Sequence, residues 1–247
     1  MFGVRCFGSF EVRANGREIS GWTVQKAREL LAYLIARGGT AVLRDEVAEA
    51  LWPDGEPAQV QHNLSNAAYY LRRAMKNALG ADVQVFAASG QRYHLRTGVL
   101  RVDVDAFDGH LRRAEALEGL EALAEYERAL EAYQGDLLAN EPYEWAEAYR
   151  REYQRKFLAA AHQAARLAVE SRDVEKAMGY YRAILGRDPI DEEAARGLMR
   201  CYSRLGDVNG TRKVYKVLTE ALRRELEDET AEPLPETTAV LQELMNA

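Results

Sequence analysis

Five side chains between positions 59 and 73 have the types and spacing that suit reading the edges of base pairs. Each residue of an α-helix turns by about 100°, so Gln59, His62, Asn66, Tyr69 and Arg73 gather on one face of a helix running from about Pro57 to Leu79. Tyr70 and Lys76 fall on its flanks, and Tyr70 counts with the five as a candidate for reading bases. A carboxamide can bond adenine in bidentate fashion across the major groove, and a guanidinium can do the same to guanine. The opposite face carries Leu64, Ala67, Ala68, Leu71 and Met75, an apolar stripe of helical period that must be buried. An ordinary solvated helix would show the same polar face, so the neighbouring elements decide between the two.

Those neighbours have a definite order. Val4, Cys6, Phe10 and Val12 suggest short strands, and Asn15-Gly16 is a favoured two-residue hairpin turn. Val24, Ala27, Leu30, Leu31, Leu34 and Ile35 predict a first helix, with Thr23 as its cap and Gly38-Gly39 as its end. A short second helix is expected from about Leu43 to Trp52, before Pro53. After the third helix, Val83, Val85 and Phe86 alternate into a strand, Ser89-Gly90 turns, and Gln91-Arg92-Tyr93-His94-Leu95-Arg96 returns. Three helices followed by such a hairpin predict a winged helix, whose third helix enters the major groove while the wing holds phosphate or the minor groove. On that reading Arg72, Lys76, Gln91, Arg92 and Tyr93 are the candidates for holding the DNA backbone.

Beyond Phe107 the chain reads as all-α, with breaks at Gly135, Ser171-Arg172-Asp173, Asp188-Pro189 and Leu205-Gly206-Asp207. Leu167, Asp173, Ala177 and Tyr181 recur as Cys201, Asp207, Thr211 and Tyr215, each 34 residues later. That is the tetratricopeptide period, in which stacked helical hairpins build a surface for partners. Tyr126, Tyr133, Tyr143, Trp145, Tyr149 and Tyr153 are read as packing between helices rather than as a ligand cage. The basic run containing Arg150, Arg151, Arg155 and Lys156 is read first as a solvated helix face and second as a site for an anionic ligand or an acidic partner. A last short helix with Val240, Leu241 and Leu244 is expected to cap the final repeat.

Composition narrows the function classes. The net charge of −6 conceals an asymmetry: residues 1–100 hold 12 Lys and Arg against 9 Asp and Glu, and the remainder holds 21 against 30. A basic first part can meet phosphate and an acidic second part cannot, which places any DNA contact in the first hundred residues. No run of 18 apolar residues and no signal-like start is present, so a cytoplasmic protein without membrane association is expected. Cys6 and Cys201 lack metal-ligand spacing, and His62, His94, His110 and His162 are scattered. With no phosphate-cradling loop or nucleophile motif either, the expectation is a protein that is not an enzyme and holds no metal or cofactor.

The stretches Lys26–Leu34, Glu49-Ala50-Leu51-Trp52-Pro53, Asn63-Leu64, Leu71–Met75 and Gly90–Leu95 resemble the OmpR-like DNA-binding domain of the Streptomyces antibiotic regulatory protein family. Val102–Phe107, Gln134–Leu138, Asp188-Pro189 and Leu198-Met199 resemble its bacterial transcriptional activator domain. The resemblance implies an activator that binds direct repeats in promoters as a tandem pair and contacts RNA polymerase. It also implies DNA contacts on the third helix and the wing, although Tyr69-Tyr70 departs from the small polar and basic residues common there. Some relatives carry a further ATPase or phosphopeptide-binding domain, and neither is recognised in this sequence. The expected architecture is an α+β winged helix over residues 1–100 and an all-α, tetratricopeptide-like domain over 101–247. Two other readings stay open: a regulator whose helical domain binds an anionic effector such as a nucleotide, and an interaction module whose winged helix does not bind DNA.

Overall fold

The structure is a computed structural model and describes residues 2–19, 22–79, 86–96 and 100–246. The chain divides into two compact units, residues 1–109 with 131–155, and residues 110–130 with 156–247.

The first unit opens with β1 (Phe2–Arg5), β2 (Glu11–Ala14) and β3 (Arg17–Glu18). The β2–β3 hairpin turns on Asn15 (φ 49°) and Gly16 (φ 82°), the pair of left-handed residues that a two-residue turn needs. Helices α1 (Gln25–Ala36), α2 (Arg44–Leu51) and α3 (Pro57–Leu79) follow, with β4 (Val42–Leu43) between the first two. The expected cap at Thr23 is not what starts α1: its N-cap is Val24, in extended backbone with no side-chain bond. Burial of Leu30, Leu31 and Leu34 holds α1 instead, each with no measurable exposure.

Strands β5 (Phe86–Ser89) and β6 (Arg92–Leu95) make the wing, and β6 also pairs with β4 in the order β4-β6-β5. Of the strand expected before Ser89, Phe86 opens β5, while Val83 and Val85 lie outside the described residues. A final strand, β7 (Leu100–Val102), returns parallel to β1 and completes a sheet of order β3-β2-β1-β7.

Residues far along the chain finish this unit. The buried ring of Phe7 meets those of Phe107, Tyr133 and Tyr153, with centroids 5.4, 4.6 and 5.4 Å away. Asp103 accepts from the backbone N–H groups of Cys6, Phe7 and Val104 at 2.8 to 2.9 Å. Burial raises its carboxyl pKa even though those amides oppose the shift. The segment Gln134–Leu138 runs against residues 6–8, where Leu138 N–H donates to the Cys6 carbonyl at 2.7 Å. A Cβ on Gly135 (φ 151°) would lie 3.2 Å from the Gly8 Cα, so the backbones meet where a side chain would intrude.

The second unit draws on α4 (Asp103–Glu115), α5 (Gly119–Ala132) and α6 (Ala146–Glu170), then contains α7 (Val174–Leu185), α8 (Glu192–Arg204), α9 (Val208–Glu225) and α10 (Pro235–Asn246). The 34-residue repeat holds at atomic detail. Helices α6 and α8 end at Glu170 and Arg204, and α7 and α9 begin at Val174 and Val208. Asp173 and Asp207 cap the second helix of each pair by accepting from Lys176 and Gly210 N–H at 3.0 and 2.8 Å. Ala177 and Thr211 are fully buried at matching places. Helix α10 covers the last pair as expected, with Arg196 donating to Thr237 at 2.7 Å and the Tyr215 hydroxyl 2.9 Å from that of Thr238.

Candidate nucleic-acid interface

Helix α3 has the limits expected from its sequence and begins on Pro57, which suits a first helical position because the N–H it lacks would be unpaired there. Leu64, Ala67, Ala68, Leu71 and Met75 are at most 2% exposed, and Val60 joins them. The stripe seats α3 against α1 and leaves the other side outward. Gln59, His62, Asn66, Tyr69 and Arg73 are all exposed, so the structure brings the five together on one open face. Tyr69 is 55% exposed, unusual for a ring of that size, and meets the half-buried Tyr70 edge to face at 5.3 Å. The Gln59 carboxamide donates to Asn63 Oδ1 at 3.0 Å.

The wing lies along one edge of this face. Arg72 places its guanidinium 4.9 Å from the centre of the Phe86 ring, tying α3 to β5 while remaining exposed. Lys76 is exposed in the last turn of α3, and Gln91 is exposed at the wing turn. Arg92 is also exposed and donates to the Ala41 carbonyl at 3.3 Å.

Tyr93 is a correction. It is 2% exposed, its ring packs on Phe86 at 5.1 Å, and it sits in the core under the wing rather than against a phosphate. The signal was present in the strand: Arg92 points out, so Tyr93 and Leu95, of the opposite parity, point in.

Sequence reading also missed the corner between α2 and α3. Arg44, the first residue of α2, stacks over Tyr93 at 5.5 Å and donates to Ser65 on α3 at 3.0 Å. Gln61 donates to Asp45 at 3.1 Å, closing the same corner. No local pattern marks these residues, because each partner comes from a different element.

The basic run on α6 divides. Arg150 donates to the carbonyls of Leu137, Leu138 and Glu141 at 3.1, 3.0 and 2.7 Å and pairs with Glu147. It braces the 137–141 loop and has little left for a ligand. Arg151 and Arg155 are exposed, whereas Lys156 is half-buried and belongs to the second unit. The aromatic residues pack as expected: Tyr143 stacks on Trp145 at 5.5 Å, and Trp145 donates to the buried Glu29 at 3.2 Å. Burial and the neighbouring Glu141 hold the Tyr143 hydroxyl in its neutral form, with a raised pKa.

Among the described residues no group of three or more His, Cys, Asp and Glu is placed to hold a metal ion, and no helix is long and apolar enough to cross a membrane.

Residues 102–245 match the family model of the bacterial transcriptional activator domain. The chain belongs to that family. The match spans the stretches Val102–Phe107, Gln134–Leu138, Asp188-Pro189 and Leu198-Met199, and it supports a regulator of the Streptomyces antibiotic regulatory protein type. Among solved structures, the chain is similar to Mycobacterium tuberculosis EmbR in complex with a low affinity phosphopeptide, with a TM-score of 0.78 and 18% identity. That alignment covers 99% of this chain and 65% of the EmbR chain, so the chain spans less than two thirds of that relative's length. At this identity the likeness establishes the shared fold, a winged helix followed by a helical activator domain. No curated protein matched the sequence significantly.

Proposed function

We propose that the chain is a sequence-specific, cytoplasmic DNA-binding regulator that activates transcription from direct repeats and contacts RNA polymerase. Residues 1–100 serve DNA and residues 101–247 serve regulation. The observation that carries the reading is the exposed face of α3, where a base-reading set of side chains stands beside a wing, above a fully buried apolar stripe.

The roles follow from donor and acceptor chemistry. Gln59 and Asn66 suit adenine, Arg73 suits guanine, and the Tyr69 ring offers an apolar contact to a thymine methyl. Arg72, Lys76, Arg92 and Gln91 surround that face and suit phosphate oxygens, which fix register without reading sequence. Tyr93 supports them from beneath.

Selection of binding sites from a random duplex library at near-physiological salt tests the proposal. Enrichment of a short motif repeated about one helical turn apart supports a tandem promoter binder. Sequence-blind recovery overturns it in favour of an interaction module.

A further inference from the structure

On the side of α3 away from the wing, a groove of about 770 Å³ opens between the β2–β3 turn, the entry to α1 and the C-terminal half of α3. That volume lies in the range of small-molecule sites, roughly 300 to 1,000 Å³. Two half-buried aromatic side chains line it, Trp22 from the α1 entry and Tyr70 from α3. Arg17 from β3 and Arg73 from α3 line it as well, and neither has an acidic partner among the described residues. Glu18 is the one carboxylate of the lining, leaving a single net positive charge, and Asn77 adds a carboxamide.

Flat apolar rings beside guanidinium forks that have no acidic partner among the described residues favour a flat, anionic guest, because Arg stacks on π-systems and binds carboxylate-like groups in bidentate fashion. One net positive charge favours a monoanion over a dianion. We propose that this groove binds a small planar organic anion, an aromatic ring system bearing one acidic group. Its rings lie against Trp22 and Tyr70, and its acid is held by Arg17 and Arg73.

Arg73 is also the last member of the exposed α3 face. If the DNA-reading role of that face holds, the guest and the duplex compete for one guanidinium, and each weakens the other by the same factor. This coupling rests on the proposed function, whereas the groove itself does not.

Anilinonaphthalene sulfonate, an aromatic monoanion whose emission reports binding, is the probe. Titrated into the full chain without DNA, it is expected to bind saturably at one site and to quench tryptophan emission. Arg17→Ala, an exposed position on a two-residue strand, should weaken binding about tenfold, the loss expected for one charge-assisted contact. Trp22→Leu should weaken it and remove the quenching. Non-saturable binding, or an affinity that neither substitution changes, overturns the proposal. Because this titration contains no DNA, its failure is separable from failure of the base-reading role, which the duplex selection tests alone.

Discussion

Arg73 and Tyr93 show how position decides the work of a polar side chain. Arg73 is exposed on α3, and Arg73→Ala is expected to relax base preference at one position of the site by about 1–3 kcal/mol. An even loss across all sequences in a binding-site selection would instead assign Arg73 to phosphate. Tyr93 is buried under the wing, so Tyr93→Ala should cost about 3–5 kcal/mol in denaturant unfolding, while Gln91→Ala at the exposed turn leaves stability unchanged. His162 gives a pH signature. Its Nε2 lies 2.8 Å from Asp191 Oδ2, and that bond raises the His162 pKa against the opposing effect of burial, with Glu193 and Asp188 adding to the rise. For Asp191 burial works upward, but the same bond and the Ala194 amide leave the pKa lowered. The imidazolium therefore stabilises the fold fully below its unfolded pKa, about 6.5, and loses that contribution as pH rises through the higher folded value. The Asp191 contribution is present above about 3.9 and is lost as pH falls through the lower folded value. Stability from the pair should peak between those limits, and His162→Gln should flatten the decline above pH 6.5 in thermal melts across the range.

At the scale of elements, the repeat turns are the clearest test of local backbone chemistry. Arg172 (φ 62°) and Gly206 (φ 71°) occupy the same place 34 residues apart. In each turn the N–H of the left-handed residue donates to a carbonyl near the end of the preceding helix, Arg172 to Val169 and Gly206 to Ser203. The next residue closes the motif, Asp173 to Ala168 and Asp207 to Tyr202. The first turn holds an arginine where the second holds the residue that adopts this conformation without strain. Arg172→Gly should therefore stabilise the second unit by about 0.5–1 kcal/mol, seen as a higher unfolding midpoint. A neutral or destabilising result would mean that the arginine side chain contributes as much as the backbone loses. The α3 element was legible because its buried stripe and its first-turn proline are both local signals. The start of α1 was not, because tertiary burial of Leu30, Leu31 and Leu34 holds a helix whose N-cap makes no side-chain bond.

For the molecule as a whole, the charge asymmetry leads to a salt experiment. If Arg72, Lys76 and Arg92 each neutralise one phosphate, the logarithm of the DNA affinity should fall against that of salt with a slope of about −3, and Lys76→Ala should reduce the slope by about 1. A slope near zero, measured by titration of a selected duplex, would remove all three from the interface. The periodicity of α3, the Asn15-Gly16 turn and the 34-residue repeat that returns Asp173 as Asp207 were all readable from sequence, since each expresses an interaction within a few residues or a regular spacing. The motifs at Val102–Phe107 and Gln134–Leu138 could be recognised in sequence, yet their purpose could not. Only the tertiary structure shows Asp103 holding the amides of Cys6 and Phe7, and Arg28 pairing with Glu141 at 2.6 Å, across more than 90 residues of chain. Likewise Arg150 reads as one charge in a basic run until the three carbonyls around it are seen. Local spacing determines which face of an element is apolar; which distant group meets each polar side chain depends on chain closure, which leaves no periodic trace in the sequence.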